Sequence, residues 1–172
     1  MIPKTENLFF DKTENRRIIT NIECKDKQNK DLNFPMPTIH SKYLGELRTE
    51  AVHCSSGEKL ITDAPVDNQG KGQSFSPTDL LTASLTSCMM TIMGIAARTH
   101  GIAINGIEAE TTKHMASDPR RVIKIEIRFF GFPTNYSDKE KAILEKAAYS
   151  CPVAMSLSEG IEQEILFDYG LN

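Results

Sequence analysis

The sequence predicts an α+β fold in which antiparallel sheets pack on two helices. Three observations carry that expectation. The run from Pro77 to His100 is apolar over most of its surface and has helix start and stop signals at its ends. Ile123, Ile125, Ile127 and Phe129 alternate with Lys124, Glu126 and Arg128, the pattern of a strand with one face on a core and one in water. Ser137 and Glu140 make a capping box ahead of Ala142, Ile143, Leu144, Ala147 and Ala148, the core positions of a second helix.

Residues 1–37 are polar and uneven, and "ECKDKQNKDLNFPMP" ends in two prolines. They read as an N-terminal extension with a linker near Pro35 and Pro37, and "RRIITNIEC" has the composition of an edge strand. Residues 38–172 then form one domain. "KYLGELRTEAVH" alternates imperfectly, "CSSGE" supplies a turn and "KLITDAP" a short strand, which together predict a hairpin. "VDNQGKGQSFSP" is a loop. Its "NQGKG" sets a lysine among glycines but lacks the spacing of a phosphate loop, so no nucleotide site is expected.

Ser76 suits the N-cap of the long helix, Pro77 its first position and Asp79 its acidic third. Gly101 closes it in the left-handed conformation. A helix of 24 residues is roughly 36 Å long. Leu81, Leu85, Cys88, Ile92 and Ile95 share one face, and Met89, Met90, Met93, Ala96 and Ala97 widen it. A helix so broadly apolar belongs inside a protein or between subunits. "GIAINGIEAETT" and "RVIKIEIRFFGF" flank the turn "ASDPR". Pro152 kinks or restarts the second helix, Gly160 ends it, and Ile165, Phe167 and Tyr169 give a last strand.

The chain has 172 residues and a net charge of −3, with both signs interspersed. No basic block points to nucleic acid and no polybasic run to a membrane surface. Asp79, Arg98 and several Ser and Thr interrupt the long helix, which argues against a membrane span. The N-terminus lacks the layout of a secretory signal, so a cytoplasmic protein is expected. His40, His53, His100 and His114 have no metal-ligand spacing, and neither metal nor cofactor is expected.

Of the four cysteines, Cys24, Cys54, Cys88 and Cys151, none forms a CxxC pair. Cys24 and Cys54 read as reduced packing residues. Cys88 lies eleven residues past Pro77, beyond the reach of the helix dipole. Buried among Leu and Ile it is inert unless a cation is delivered to it. Cys151 precedes Pro152, so a restarted helix makes it the N-cap, facing the amides of Val153 and Ala154, which favours a thiolate. One buried thiol and one at a helix start suit an attacking thiol and its partner. Two packing cysteines satisfy the same spacing.

"SPTDLLTASLTSC" and "CPVAMSL", taken together, resemble the OsmC/Ohr family of thiol-dependent organic hydroperoxide reductases. The match runs from a Ser-Pro helix start to Cys88, and Cys151 with Pro152 and Val153 follows 63 residues later. The resemblance implies an intertwined homodimer whose sheets wrap the paired long helices. It also implies a peroxidase reaction in which Cys88 becomes a sulfenic acid that Cys151 resolves, with a dithiol, possible in lipoyl form, as reductant. The family's peroxidases carry Glu directly after the helix proline, where it holds a catalytic Arg. Here that position is Thr78, and Arg48 is the matching candidate for the Arg, with Lys71 second. With Thr78 there, the chain resembles the divergent OsmC-like branch of the family more than its dedicated peroxidases. The alternative is a non-enzymatic dimer that binds small molecules or senses redox state.

Overall fold

The computed structural model of the chain describes residues 37–170. The expected extension, except its last residue, and its edge strand lie outside the described residues. The chain divides into two compact units, Met1–Ser74 and Phe75–Asn172.

In the first unit, β1 (Ile39–Gly45), β2 (Arg48–His53) and β3 (Lys59–Asp63) form an antiparallel sheet in the order β1-β2-β3. The expected hairpin is therefore a three-stranded meander. The segment read as one strand, Lys42–His53, reverses at Gly45–Leu47, where φ is 94° at Gly45, 49° at Glu46 and 63° at Leu47. Left-handed backbone at both central residues is the mark of tight hairpin turns that favour Asn-Gly. Glu-Leu carries no such signal, so the reversal was invisible in the pattern. A hydrogen bond from the Leu47 N–H to the Tyr43 hydroxyl (3.1 Å) supports it.

After β3 the chain makes one 3-10 turn, Val66–Asn68, and folds back on itself. The Gly70 N–H donates to the Pro65 carbonyl (3.0 Å) and the Gly72 N–H to that of Ala64 (3.1 Å). A Cβ on Gly70 would stand 1.8 Å from the Ala64 carbonyl oxygen. At Gly70, then, the "NQGKG" glycine permits a close backbone approach.

The second unit contains α1 (Pro77–His100), β4 (Glu108–Ser117), β5 (Arg120–Phe130), α2 (Asp138–Tyr149), α3 (Pro152–Ser156) and β6 (Glu162–Phe167). The sheet order is β4-β5-β6. β4 and β5 are antiparallel, but β6 runs parallel to β5, which corrects the expectation of purely antiparallel sheets. The chain leaves β5, crosses through α2 and α3, and returns in the same direction, as a helical crossover requires.

Both predicted capping boxes form, at Ser76/Asp79 and at Ser137/Glu140, and Gly101 caps α1 with φ 70°. The buried apolar row of α1 is Leu85, Met89, Met93 and Ala97, spaced by four: of the expected face Leu81, Leu85, Cys88, Ile92 and Ile95 only Leu85 is fully buried, and three of the residues expected to widen it form the rest of the row. Leu81, Cys88 and Ile92 are only partly buried and Ile95 is exposed. The unbranched methionines fill the gap over the sheet, where β-branched isoleucines would fit less readily. By length and composition α1 could cross a membrane. Its buried row instead makes it the core helix of this unit.

On β5 the buried residues are Val122, Ile125, Ile127 and Phe129. A register shift between His114 and Met115 puts Val122, not Ile123, on the inner face. In α2 only Leu144 and Ala148 are fully buried, and Ala142 is exposed. Pro152 restarts the helix as α3, which ends at Ser156, short of Gly160. Phe167 of β6 stacks on Phe129 with ring centroids 5.3 Å apart.

Candidate active site

Cys151 is the N-cap of α3, and its Sγ accepts the Ala154 N–H at 3.3 Å. It is fully buried in the core cluster. Burial pushes its thiol up, the Ala154 N–H pulls it down, and the neighbouring Cys88 side chain pushes it up again; the net is above the ordinary thiol range. This corrects the expectation that the helix start favours a thiolate. A five-residue helix offers little dipole, and desolvation wins.

Cys88 and Cys151 are thus near neighbours within the second unit. Cys88 is only half-buried and packs on the edge of the core. Burial is thus the reverse of the sequence expectation: Cys88 is the reachable thiol and Cys151 the enclosed one. Cys54 is a half-buried cysteine of the first unit. Cys24 lies outside the described residues.

The start of α1 is a polar cluster that sequence reasoning missed. Lys113 of β4 points its Nζ at Thr78 Oγ1 (2.7 Å), at Ser76 Oγ (3.0 Å) and at the Asp79 carboxylate. Thr78, standing where the peroxidases have Glu, therefore accepts a hydrogen bond from a lysine. Partial burial pushes the Asp79 carboxyl up, but Lys113 and the Ser76 N–H pull it down further, below the usual range. The alternation of β4 is weak, and nothing in "ETTKHM" signals that its lysine faces a helix start.

Arg48 opens β2, opposite Gly45 of β1 and Asp63 of β3. Its Nε is buried and has no hydrogen-bond partner. Asp63 is wholly buried; Oδ2 accepts the Gln73 N–H (2.9 Å), whereas Oδ1 has no partner. Lys71, the second candidate cation, is exposed and pairs with Glu46 across the same unit. Among the described residues no group of His, Cys, Asp or Glu is arranged to hold a metal.

A family model for OsmC-like proteins matches residues 70–165. The chain belongs to the OsmC-like family. It is 50% identical to an osmotic stress induced and detoxification response protein of Psychrobacter arcticus 273-4, with a TM-score of 0.74 over 79% of this chain and 99% of that one. An OsmC organic hydroperoxide resistance protein of Legionella pneumophila shares the fold at 16% identity, TM-score 0.58, covering 78% of this chain and 98% of that one. An organic hydroperoxide resistance protein of Vibrio cholerae, with captopril bound in one of its active sites, does so at 13% identity, TM-score 0.61, covering 84% and 97%. No functionally curated protein matches the chain.

Proposed function

We propose that this OsmC-like protein is a thiol peroxidase that reduces organic hydroperoxides. The observation that carries the reading is the contact between a reachable Cys88 and an enclosed Cys151. An attacking thiol must meet its substrate, while a resolving thiol need meet only its partner. In the first step the Cys88 thiolate attacks the distal peroxide oxygen. The O–O bond breaks, the alkoxide takes a proton and leaves as an alcohol, and the sulfur is oxidised to a sulfenic acid. In the second, the Cys151 sulfur attacks the Cys88 sulfur. An S–S bond forms, and hydroxide leaves as water with the proton of Cys151. A dithiol, of lipoyl type, then reduces the disulfide by exchange and is itself oxidised.

Arg48 is the proposed cation for the Cys88 thiolate, on the strength of its match to the family position. We place the working form in a cytoplasmic homodimer. Exposed apolar residues of the second unit, among them Ile95 and Leu166, suit a covered surface. The lysine at Thr78, where the peroxidases have a carboxylate, favours a second reading: a dimer that binds small molecules or senses redox state without fast turnover.

Timed thiol loss with cumene hydroperoxide against hydrogen peroxide tests the choice. Faster loss with the organic peroxide, abolished in Cys88→Ser, supports the peroxidase. Equal, slow loss with both gives the place to the sensing or binding dimer.

A further inference from the structure

Two buried polar atoms among the described residues of the first unit lack hydrogen-bond partners, and they sit on residues opposed in the sheet. Arg48 Nε is a donor with nothing to donate to, and Asp63 Oδ1 an acceptor with nothing to accept. Buried groups of this kind are normally satisfied, and leaving a charged one unpaired is costly. Arg48 and Asp63 are directly opposed in the β2–β3 register, so their side chains leave the same face of the sheet. On the other side of Arg48 the opposed residue is Gly45, which has no side chain to obstruct it. The other carboxylate near Arg48, Glu46, is exposed and held by Lys71.

Asp63 is itself fixed. Its Oδ2 takes the Gln73 N–H, and the Ser74 hydroxyl donates to the Ile61 carbonyl two residues before it (2.7 Å). One carboxylate oxygen thus anchors the returning loop, and the other is free on the face that Arg48 shares.

We propose that Asp63 is the positioning residue for Arg48: neither atom has a partner in this structure, and in the working form a side-chain rotation lets Oδ1 accept the Arg48 Nε–H in a charge-assisted bond. The carboxylate that orients the guanidinium then lies on β3, next to it in the sheet. This rests on the proposed role of Arg48, but the pairing is measurable without it.

The experiment is nitrogen-15 NMR of the Arg48 Nε–H in the full chain, beside peroxide consumption. Asp63→Asn keeps an oxygen for the Gln73 N–H and removes the charge. The expected result is an Arg48 Nε–H signal that shifts and exchanges with water roughly tenfold faster in Asp63→Asn. Cumene hydroperoxide turnover should fall about tenfold in Asp63→Asn, yet be unchanged by the same substitution in an Arg48→Met background. An Nε–H signal identical in native and Asp63→Asn proteins overturns the pairing. So does an equal loss of turnover in both backgrounds, which means that Asp63 acts without Arg48. Should Asp63→Asn misfold, Arg48→Lys against native protein, read at the Gln73 amide, serves instead. A Gln73 amide signal that does not move overturns the pairing there too. If the Nε–H responds but the native chain consumes no peroxide, the pairing stands and the peroxidase reading falls.

Discussion

Two helix starts in the second unit share a construction and differ in everything around it. At α1, Ser76 precedes Pro77 and its Oγ accepts the Asp79 N–H at 3.1 Å; at α3, Cys151 precedes Pro152 and its Sγ accepts the Ala154 N–H at 3.3 Å. The first holds charge: Asp79 and Lys113 pair across it. The second holds none and is shut into the core. The chain thus keeps its ion pair at a helix start with no thiol and its buried thiol at a start with no charge. The N-cap geometry is therefore generic; what surrounds it decides whether the site stabilises a fold or stores a proton on sulfur.

The strongest way to break the comparison is to replace the sulfur at α3 with an oxygen. Serine is a good N-cap, so Cys151→Ser should retain native stability to within about 1 kcal/mol. Peroxide consumption should nevertheless stop after one equivalent, with a Cys88 sulfenic acid that dimedone traps. Cys88→Ser should consume none. Full turnover in Cys151→Ser, with no trapped adduct, would remove Cys151 from the chemistry.

Next in size is reactivity against pH. The Cys151 thiol is held above the ordinary range, so its alkylation by iodoacetamide should begin at higher pH than that of an exposed thiol. A raised folded value also means that stability from this group is complete below the unfolded thiol value and is lost as pH rises through the folded one. Mass mapping of alkylated peptides across neutral to alkaline pH measures the first effect and urea midpoints the second.

Smaller again is the cost of removing an oxygen at α1. Ser76→Ala should destabilise by about 2 kcal/mol, the upper end for an N-cap, because Ser76 is buried and also receives Lys113. The matching change at the exposed cap of α2, Ser137→Ala, should cost about 0.5–1 kcal/mol. Equal urea midpoints for the two variants would show that Lys113 adds nothing.

Smallest is the acid dependence of α1. The Asp79 value lies below that of the unfolded chain, so its contribution is present above the ordinary carboxylate range and is lost as pH falls through the depressed value. Its side chain is 39% exposed, which holds the effect to about 0.5 kcal/mol. Lys113→Met should flatten that part of the urea midpoint curve.

What could be read from the sequence were features that depend on a few adjacent residues. The Ser76 and Ser137 boxes, the Gly101 stop and the Pro152 restart are chemistry within one turn of chain. The pair Cys88 and Cys151 came from the family resemblance, and contact between them is a property of the fold. Features set by distant partners were not legible. The row that α1 buries depends on what β5 presents, and Ile123 gave way to Val122 because of a register shift with no marker in the pattern. The direction of β6 depends on a crossover. Lys113 and Asp63 looked like ordinary strand residues, since their meaning lies in the neighbours they meet.

The parallel strand β6 has a consequence in time. Among the described elements it follows all the others in the chain, and only once it is made can its segment bond to β5, through the Asp168 N–H to the Phe129 carbonyl (2.8 Å), and to α3, through Gln163 Nε2 to the Ala154 carbonyl (3.3 Å). Until those bonds form, the nascent chain holds Cys151 and its five-residue helix only through their packing on α1. The thiol that β6 helps to enclose in the finished protein should therefore be more open during its synthesis. A chain ending at Gly160 should alkylate at Cys151 more readily than the full chain; equal protection already present in that truncated chain would assign the enclosure to α1 and β5 alone.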